Sequence, residues 1–291
     1  MEFQQRTTEW FRDRIGRWNA SEIGNLMKRD RCGNFGDTAL SYIRKVAAER
    51  LYNENVVADD YMFASYLEAT TINSKAMQWG TDNEVNARTL YSKLNHVEVV
   101  EVGSIEHPTI AMLSASPDGI AKYNDGDVGI EIKCPKIETF MQYKVAFQSY
   151  SESNIKCDIF LKGDDICKIS TRIKELEDKL SVKETKIARA ELDKLKVDLA
   201  VDKSMVSIYE EELKDRALYN NRMLLDINPM YYWQIQAQMM CVGLDKVDFV
   251  VYHPIMKQPI LINRIKADTS SFSKLAEAIQ EAETVIKQMT E

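Results

Sequence analysis

From Lys168 to Arg222 the chain has neither glycine nor proline, and 13 Lys and Arg stand against 12 Asp and Glu. Nothing in such a stretch breaks a helix, and it carries too many charges to hide in a sheet. Its apolar residues fall at Ile169, Ile173, Leu176, Leu180 and Ile187, then at Leu192, Leu195, Leu199, Val206 and Leu213. Both sets follow heptad spacing, with frames offset by about two positions. Two long helices in an antiparallel hairpin, turning between Ser181 and Ala190, satisfy the pattern. A single long helix with a stutter also does. Residues 166–225 therefore read as a helical, coiled-coil-like insertion, and 1–165 with 226–291 as the domain that carries it.

The insertion is nearly neutral while the whole chain has a net charge of −7, so the acidic excess belongs to the flanking domain. That charge argues against non-specific coating of DNA, but it leaves DNA enzymology open, which needs local basic grooves and local carboxylates. With 291 residues, 45% hydrophobic and 29% charged, the chain belongs to the globular class. No apolar run approaches the ~18–20 residues of a membrane span. The opening MEFQQRTTEWFRDR lacks an apolar signal core, so a cytoplasmic location and no membrane partner are expected. Five cysteines (32, 134, 157, 167, 241) without a C-x-x-C pair suit a reducing compartment.

In the flanking domain, Thr8–Lys28 predicts a helix, a turn near Gly16 and a second helix capped by Asn19 or Ser21, with Ile23, Leu26 and Met27 as its apolar face. Ala39–Tyr52 and Asn73–Lys93 read as helices, the latter with Val85, Leu90 and Tyr91 as core positions. Strands are expected at Val97–Gly103, Thr109–Ser116 and Gly129–Lys133, with a turn at Asp118-Gly119. A helix from Met230 to Cys241, strands at Val247–Tyr252 and Pro259–Ile265, and an amphipathic helix at Ser270–Met289 complete the chain. The fold class is α/β, a mixed sheet flanked by helices.

Ser116-Pro-Asp-Gly and Gly129-Ile-Glu-Ile-Lys-Cys-Pro135 carry the chemistry. In a strand, alternate side chains share a face, so Glu131 and Lys133 lie together while Ile130 and Ile132 point to the core. A hairpin would bring Asp118 beside Glu131. The two carboxylates and the carbonyl of Ile132 make an all-oxygen site for Mg²⁺ or Mn²⁺, with Glu84 able to complete it and Lys133 able to act on a water or a phosphate. A solvated hairpin with a surface ion pair fits the same spacing.

Four blocks in order resemble one family. They are Trp10-x₃-Arg14-x-Gly-x₃-Ala-Ser21-Glu22; Lys75-Ala-Met77-x-Trp79-Gly80-x₃-Glu84-x₂-Ala87-Arg88; Asp118-Gly with Glu131-Ile-Lys133; and Tyr231-x₂-Gln234-Ile-Gln236. They are similar to the lambda-exonuclease or YqaJ-type viral recombinase family of PD-(D/E)XK nucleases. The resemblance implies a PD-(D/E)XK core in which Asp118 and Glu131 hold two Mg²⁺ ions, Glu84 lies near the metals and Lys133 is the catalytic lysine. It implies one glutamine of the pair Gln234 and Gln236 near the active site; at i and i+2 they point to different helix faces, so at most one faces the metals. Arg14 and Ser21 would hold a 5′-phosphate, Arg31 and Lys75 would lie on the DNA path, and Met77 would act as an apolar wedge.

The activity implied is exonucleolytic digestion of double-stranded DNA from its ends, 5′ to 3′, leaving a 3′ single strand for recombination. A ring-shaped homotrimer and a single-strand annealing partner are implied by the family alone. A structure-specific or restriction-type endonuclease and a non-catalytic binding module are the competing readings. The insertion departs from the family pattern, which has a much shorter connection between the motif strand and the glutamine helix.

Overall fold

A computed structural model of the chain describes residues 3–52, 54–70, 74–182 and 185–290. The chain opens with α1 (Thr8–Asp13), β1 (Trp18–Asn19), a 3₁₀ turn (Ile23–Asn25), α2 (Asp37–Arg50), α3 (Glu54–Ala58) and α4 (Asp60–Thr70). Helix α5 (Lys75–Asn95) leads to β2 (Glu98–Val100), β3 (Ile105–Glu106), β4 (Leu113–Ala115), β5 (Gly119–Tyr123) and β6 (Gly126–Lys133). Then come α6 (Ile137–Gln148), α7 (Glu152–Val182), α8 (Lys186–Lys214) and α9 (Arg216–Ile227). The chain closes with α10 (Pro229–Val242), β7 (Lys246–Tyr252), β8 (Ile260–Lys266) and α11 (Thr269–Thr290). Two compact units result, Met1–Val145 with Asn221–Glu291, and Ala146–Asn220.

In the first unit β6 is the middle of a five-stranded sheet, ordered β2-β5-β6-β7-β8. It pairs antiparallel with β5 and parallel with β7, the one parallel pair in this sheet. One face of β6, with Val128, Ile130 and Ile132, packs with Ala121, Val250 and Tyr252 beneath Ala87 and Tyr91 of α5. The strand period then turns Glu131 and Lys133 to the other face, toward α10. Helix α10 starts on Pro229 with Asn228 as N-cap, its side chain accepting from Tyr231 N–H (3.3 Å). A small sheet, β1-β4-β3, and helices α2 and α11 join α10 in a second apolar core.

Several expectations need correcting. The second helix within Thr8–Lys28 does not form: Trp18–Asn19 pairs parallel with Leu113–Ser114, and a 3₁₀ turn follows. Asn19 spends its amide on the carbonyls of Arg14 and Arg17, and Gly24 lets the turn approach Met230, whose Sδ would lie 2.8 Å from an added Cβ. Ser21 is therefore not a helix cap. The hairpin turn is not at Asp118-Gly119 but between Tyr123 and Gly126, where Gly126 adopts φ +127°. Asp118 precedes β5 rather than ending a strand, and the strand expected at Thr109–Ser116 is only Leu113–Ala115. Val85 is 60% exposed, whereas Tyr91 is fully buried. Asn73 lies outside the described residues.

The second unit is built on α7 and α8, two helices rather than one with a stutter. Ile173, Leu176 and Leu192 are buried between them, with Ile169, Leu180, Leu195 and Leu199 packed against that seam. Lys162–Asp202, Arg172–Glu191 and Lys196–Glu177 pair across the helices. Thr185 caps α8, accepting from Ala188 N–H at 3.3 Å, and residues 183–184 lie outside the described residues. Composition sets the insertion at 166–225, whereas this unit begins at Ala146, because α7 runs through Gly163, where the glycine-free signal fails. Among the described residues no helix is long and apolar enough to cross a membrane.

Candidate active site

Asp118 and Glu131 meet where β5 begins and β6 runs on. Gly119 pairs with Ile130, Asp118 N–H donates to the Ile130 carbonyl (3.0 Å), and Asp118 Oδ2 accepts Ile132 N–H (2.6 Å). A strand residue sends its N–H and C=O to the same edge, so the Ile132 carbonyl also faces the Asp118 side. Glu131 is 1% exposed. Its Oε1 accepts from Gln234 Nε2 (2.7 Å) and Lys133 Nζ (2.5 Å), and its Oε2 from Gln238 Nε2 (2.6 Å). Lys133 also lies over the Tyr231 ring, 4.5 Å from its centroid.

The charges respond to this crowding. Burial first, then the charges of Glu131 and Glu84, raise the Asp118 carboxyl well above the usual range. Burial works to lower Lys133, but Glu131 and Asp118 outweigh it and hold the ammonium above its ordinary pKa. Burial, with Glu84 and Asp118, pushes the Cys134 thiol up to about 12, which leaves it a neutral packing group.

Glu84 is bound by arginines. Arg6 reaches its Oε2 (2.5 Å) and Arg88 its Oε1 (2.7 Å), while Arg88 also donates to the Asp118 carbonyl (3.1 Å). Arg6 holds a left-handed φ of +67°. The neighbouring Gln5 fastens the N-terminal segment by donating to the carbonyls of Val102 (2.9 Å) and Pro117 (2.8 Å).

These groups open on a cleft of about 870 Å³ lined by Arg6, Lys75, Met77, Trp79, Glu84, Asp118, Ile132, Lys133, Lys136 and Tyr231, among others. Met77 stands exposed in its wall and is not a core residue. Glu131 lies beneath the lining. Arg14 and Ser21 are joined to each other (2.9 Å) but do not line the cleft. Arg14 stacks on Trp10 (4.2 Å), whose indole donates to Ser116 Oγ (3.0 Å), two residues before Asp118. Arg31 is exposed on the loop before α2 and does not line the cleft.

Of the two motif glutamines it is Gln234 that meets Glu131. Two positions along a helix is more than half a turn, so Gln236 points away from Glu131; it donates to the Lys266 carbonyl (3.0 Å) and accepts from Asp268 N–H (3.0 Å). The second amide on Glu131 comes instead from Gln238, one turn after Gln234. The signal that would have found it is the i, i+4 spacing.

Among the described residues no group of three or more His, Cys, Asp or Glu side chains could hold a metal ion. Glu84, the third carboxylate on the cleft, is engaged by Arg6 and Arg88. Asp118, Glu131 and the Ile132 carbonyl remain, an all-oxygen donor set that suits a hard divalent cation. A cation held between Asp118 and Glu131 would relieve the charge crowding that raises the Asp118 carboxyl.

The model of the YqaJ-like viral recombinase domain matches residues 9–157. No curated protein matches the chain. The alkaline exonuclease LHK-Exo from Laribacter hongkongensis is similar at 22% identity over 97% of this chain and 96% of its own, with TM-score 0.53. LHK-Exo in complex with dAMP gives the same identity and coverage with TM-score 0.54. A phage-related exonuclease from Haemophilus somnus 129PT is 14% identical over 94% of each chain, with TM-score 0.49. The LHK-Exo likeness shows a shared fold, in keeping with a PD-(D/E)XK-like core. The family match takes in the Trp10–Glu22 block, the α5 block and the Asp118–Lys133 block, whose Glu84, Asp118 and Lys133 meet at one cleft, and the chain belongs to the YqaJ-like viral recombinase family.

Proposed function

We propose that the chain is a metal-dependent exonuclease that digests double-stranded DNA from its ends, 5′ to 3′, and leaves a 3′ single strand for recombination. The reading rests on one observation above all: a half-buried Asp118 and a cationic lysine line a cleft, with Glu131 buried directly beneath them and Lys75, Lys136, Met77 and Trp79 on its walls. Asp118, Glu131 and the Ile132 carbonyl would hold Mg²⁺ or Mn²⁺, which when bound polarises a phosphate and lowers the pKa of a bound water.

The chain's own groups do the remaining work. Lys133, kept protonated by Glu131, presents an ammonium to a phosphate oxygen and stabilises charge there rather than removing a proton. Glu84 acts through Arg6 and Arg88, which it holds at the edge of the acidic floor. Lys75 and Lys136 attract the backbone, and Met77 and Trp79 offer apolar and aromatic surface to unstacked bases. Arg14 and Ser21 would grip a terminal 5′-phosphate. The helical unit is taken as an insertion between β6 and α10. A homotrimer and a single-strand annealing partner are carried over from the family.

The test is digestion of a linear duplex labelled separately at each end, beside a covalently closed circle, with Mg²⁺ and with chelator. Loss of the 5′ label first, an intact circle and no product in chelator are expected. A cut circle overturns the exonuclease reading in favour of an endonuclease; no cleavage of either substrate overturns the enzyme reading.

A further inference from the structure

Glu131 is gripped unequally at its two oxygens. Oε1 accepts from both Gln234 (2.7 Å) and Lys133 (2.5 Å); Oε2 accepts, among the described residues, from Gln238 alone (2.6 Å). A carboxylate offers about two lone-pair directions per oxygen. Oε1 is therefore filled, and Oε2 keeps one direction. We infer that Gln238 is the positioning residue that aims this remaining lone pair and so fixes the oxygen through which Glu131 binds a divalent ion. The inference rests on the proposed reading of Asp118 and Glu131 as metal ligands.

Two observations carry it. An ionised carboxylate only accepts, so the amide nitrogen of Gln238 must be the atom that faces it. The amide oxygen then lies buried with no hydrogen-bond partner among the described residues. An apolar residue such as the neighbouring Ala237 and Met239, both buried, leaves no polar atom unpaired. The single bond to Glu131 is what the amide adds at this position.

The second observation is the asymmetry of loss. Without Gln234, Oε1 still has Lys133. Without Gln238, Oε2 has no donor among the described residues, and the terminal torsion of a glutamate is soft enough for the carboxylate to turn. Loss of Gln238 therefore outweighs loss of Gln234, although Gln234 is the residue that matches the family's Tyr-x₂-Gln motif.

The experiment compares Gln238→Met, Gln234→Met and Gln236→Met, near-isosteric changes on one helix. Mn²⁺ binding is read from the electron paramagnetic resonance of free Mn²⁺, without DNA, and kcat and KM are measured on linear duplex. Gln238→Met is expected to weaken Mn²⁺ binding roughly tenfold or more and to lower kcat with KM for DNA unchanged. Gln234→Met weakens binding less, and Gln236→Met leaves it unchanged. Wild-type Mn²⁺ affinity in Gln238→Met, or an equal loss in Gln236→Met, overturns the inference while leaving the metal site standing. Absence of Mn²⁺ binding in the wild-type protein sinks the metal reading itself. If circular dichroism finds Gln238→Met unfolded, Gln238→Asn, which withdraws the amide by one methylene, must show the same loss; wild-type affinity there is equally fatal.

Discussion

Lys133–Glu131 and Lys196–Glu177 are one chemical pair at similar distances, 2.5 and 2.8 Å, in the two units of the chain. Their surroundings differ. The hairpin pair has side chains 51% and 50% exposed, while those of Lys133 and Glu131 are 23% and 2% exposed. In water both members stay solvated and salt screens their attraction. Beneath α10 the charges lose water, and two amides and an aromatic ring must replace it. A lysine and a glutamate make a site only where the fold removes their solvent and supplies other partners. The hairpin uses its pairs to coat a helix; the sheet uses one to hold charge ready for a ligand.

The strongest way to break this contrast is to remove each lysine in turn. Lys133→Ala should lower the cleavage rate of linear duplex by roughly 10²–10⁴-fold while DNA binding persists. Lys196→Ala should leave both rate and urea midpoint at wild-type values. A slow Lys196→Ala enzyme, or a fast Lys133→Ala one, would mean that burial does not separate the two pairs.

The contrast sharpens if hydrophobic seams are compared as well. Among the described residues the hairpin seam buries Ile173, Leu176 and Leu192, a small store of apolar area against the cores of the first unit. Leu176→Ala should cost about 2–5 kcal/mol and lower the first urea transition followed by helical ellipticity. A smaller loss than Val197→Ala, which starts 62% exposed, would remove the seam from the account.

Arg14 offers a third comparison, since, like Lys133, it rests on an aromatic face, here Trp10. Burial lowers its pKa, against the opposing charge of Glu22. If it grips a terminal phosphate, wild-type protein should prefer 5′-phosphorylated over 5′-hydroxyl ends by roughly ten- to a hundredfold, the weight of one charge-assisted hydrogen bond. Arg14→Ala should bring that ratio close to one. Equal rates in wild type would take the role from both Arg14 and Ser21.

How much of this was legible follows from the range of each interaction. Asp118, Glu131 and Lys133 could be read because strand alternation and one short hairpin bring them together within a few residues. The hairpin helices could be read because heptad spacing repeats locally. Glu84 was recognisable as an acidic residue of the α5 block, but not its neutralisation, because Arg6 approaches from 78 residues away. Gln238 lies outside the motif, which pairs Gln234 with Gln236, although its i, i+4 spacing from Gln234 puts it on the same helix face. The apolar spacing of Ile23, Leu26 and Met27 reads as a helix capped by Asn19 or Ser21, yet Trp18 and Asn19 pair with β4, nearly a hundred positions on, and only a 3₁₀ turn follows. There tertiary pairing overrides local preference.

Arg50–Glu283 lies between the two extremes, with side chains 20% and 39% exposed. Arg50 grips both oxygens (2.7 and 2.8 Å), and Trp18 Nε1 donates to one of them (2.6 Å). Burial works to raise the Glu283 carboxyl, but the bonds from Arg50 and Trp18 outweigh it and hold the pKa below the ordinary 4.5. A carboxylate whose folded pKa lies below its unfolded one adds stability above the unfolded value, and that stability is lost as pH falls through the folded value. Glu283→Gln should therefore lower the urea midpoint modestly at pH 7, because solvent screens a partly exposed pair. The difference from wild type should shrink as pH drops below 4.5. A difference that stays the same from neutral to acid pH would mean that Trp18 and Arg50 hold the side chain's shape and not its charge, and this pair would then belong with those of the hairpin.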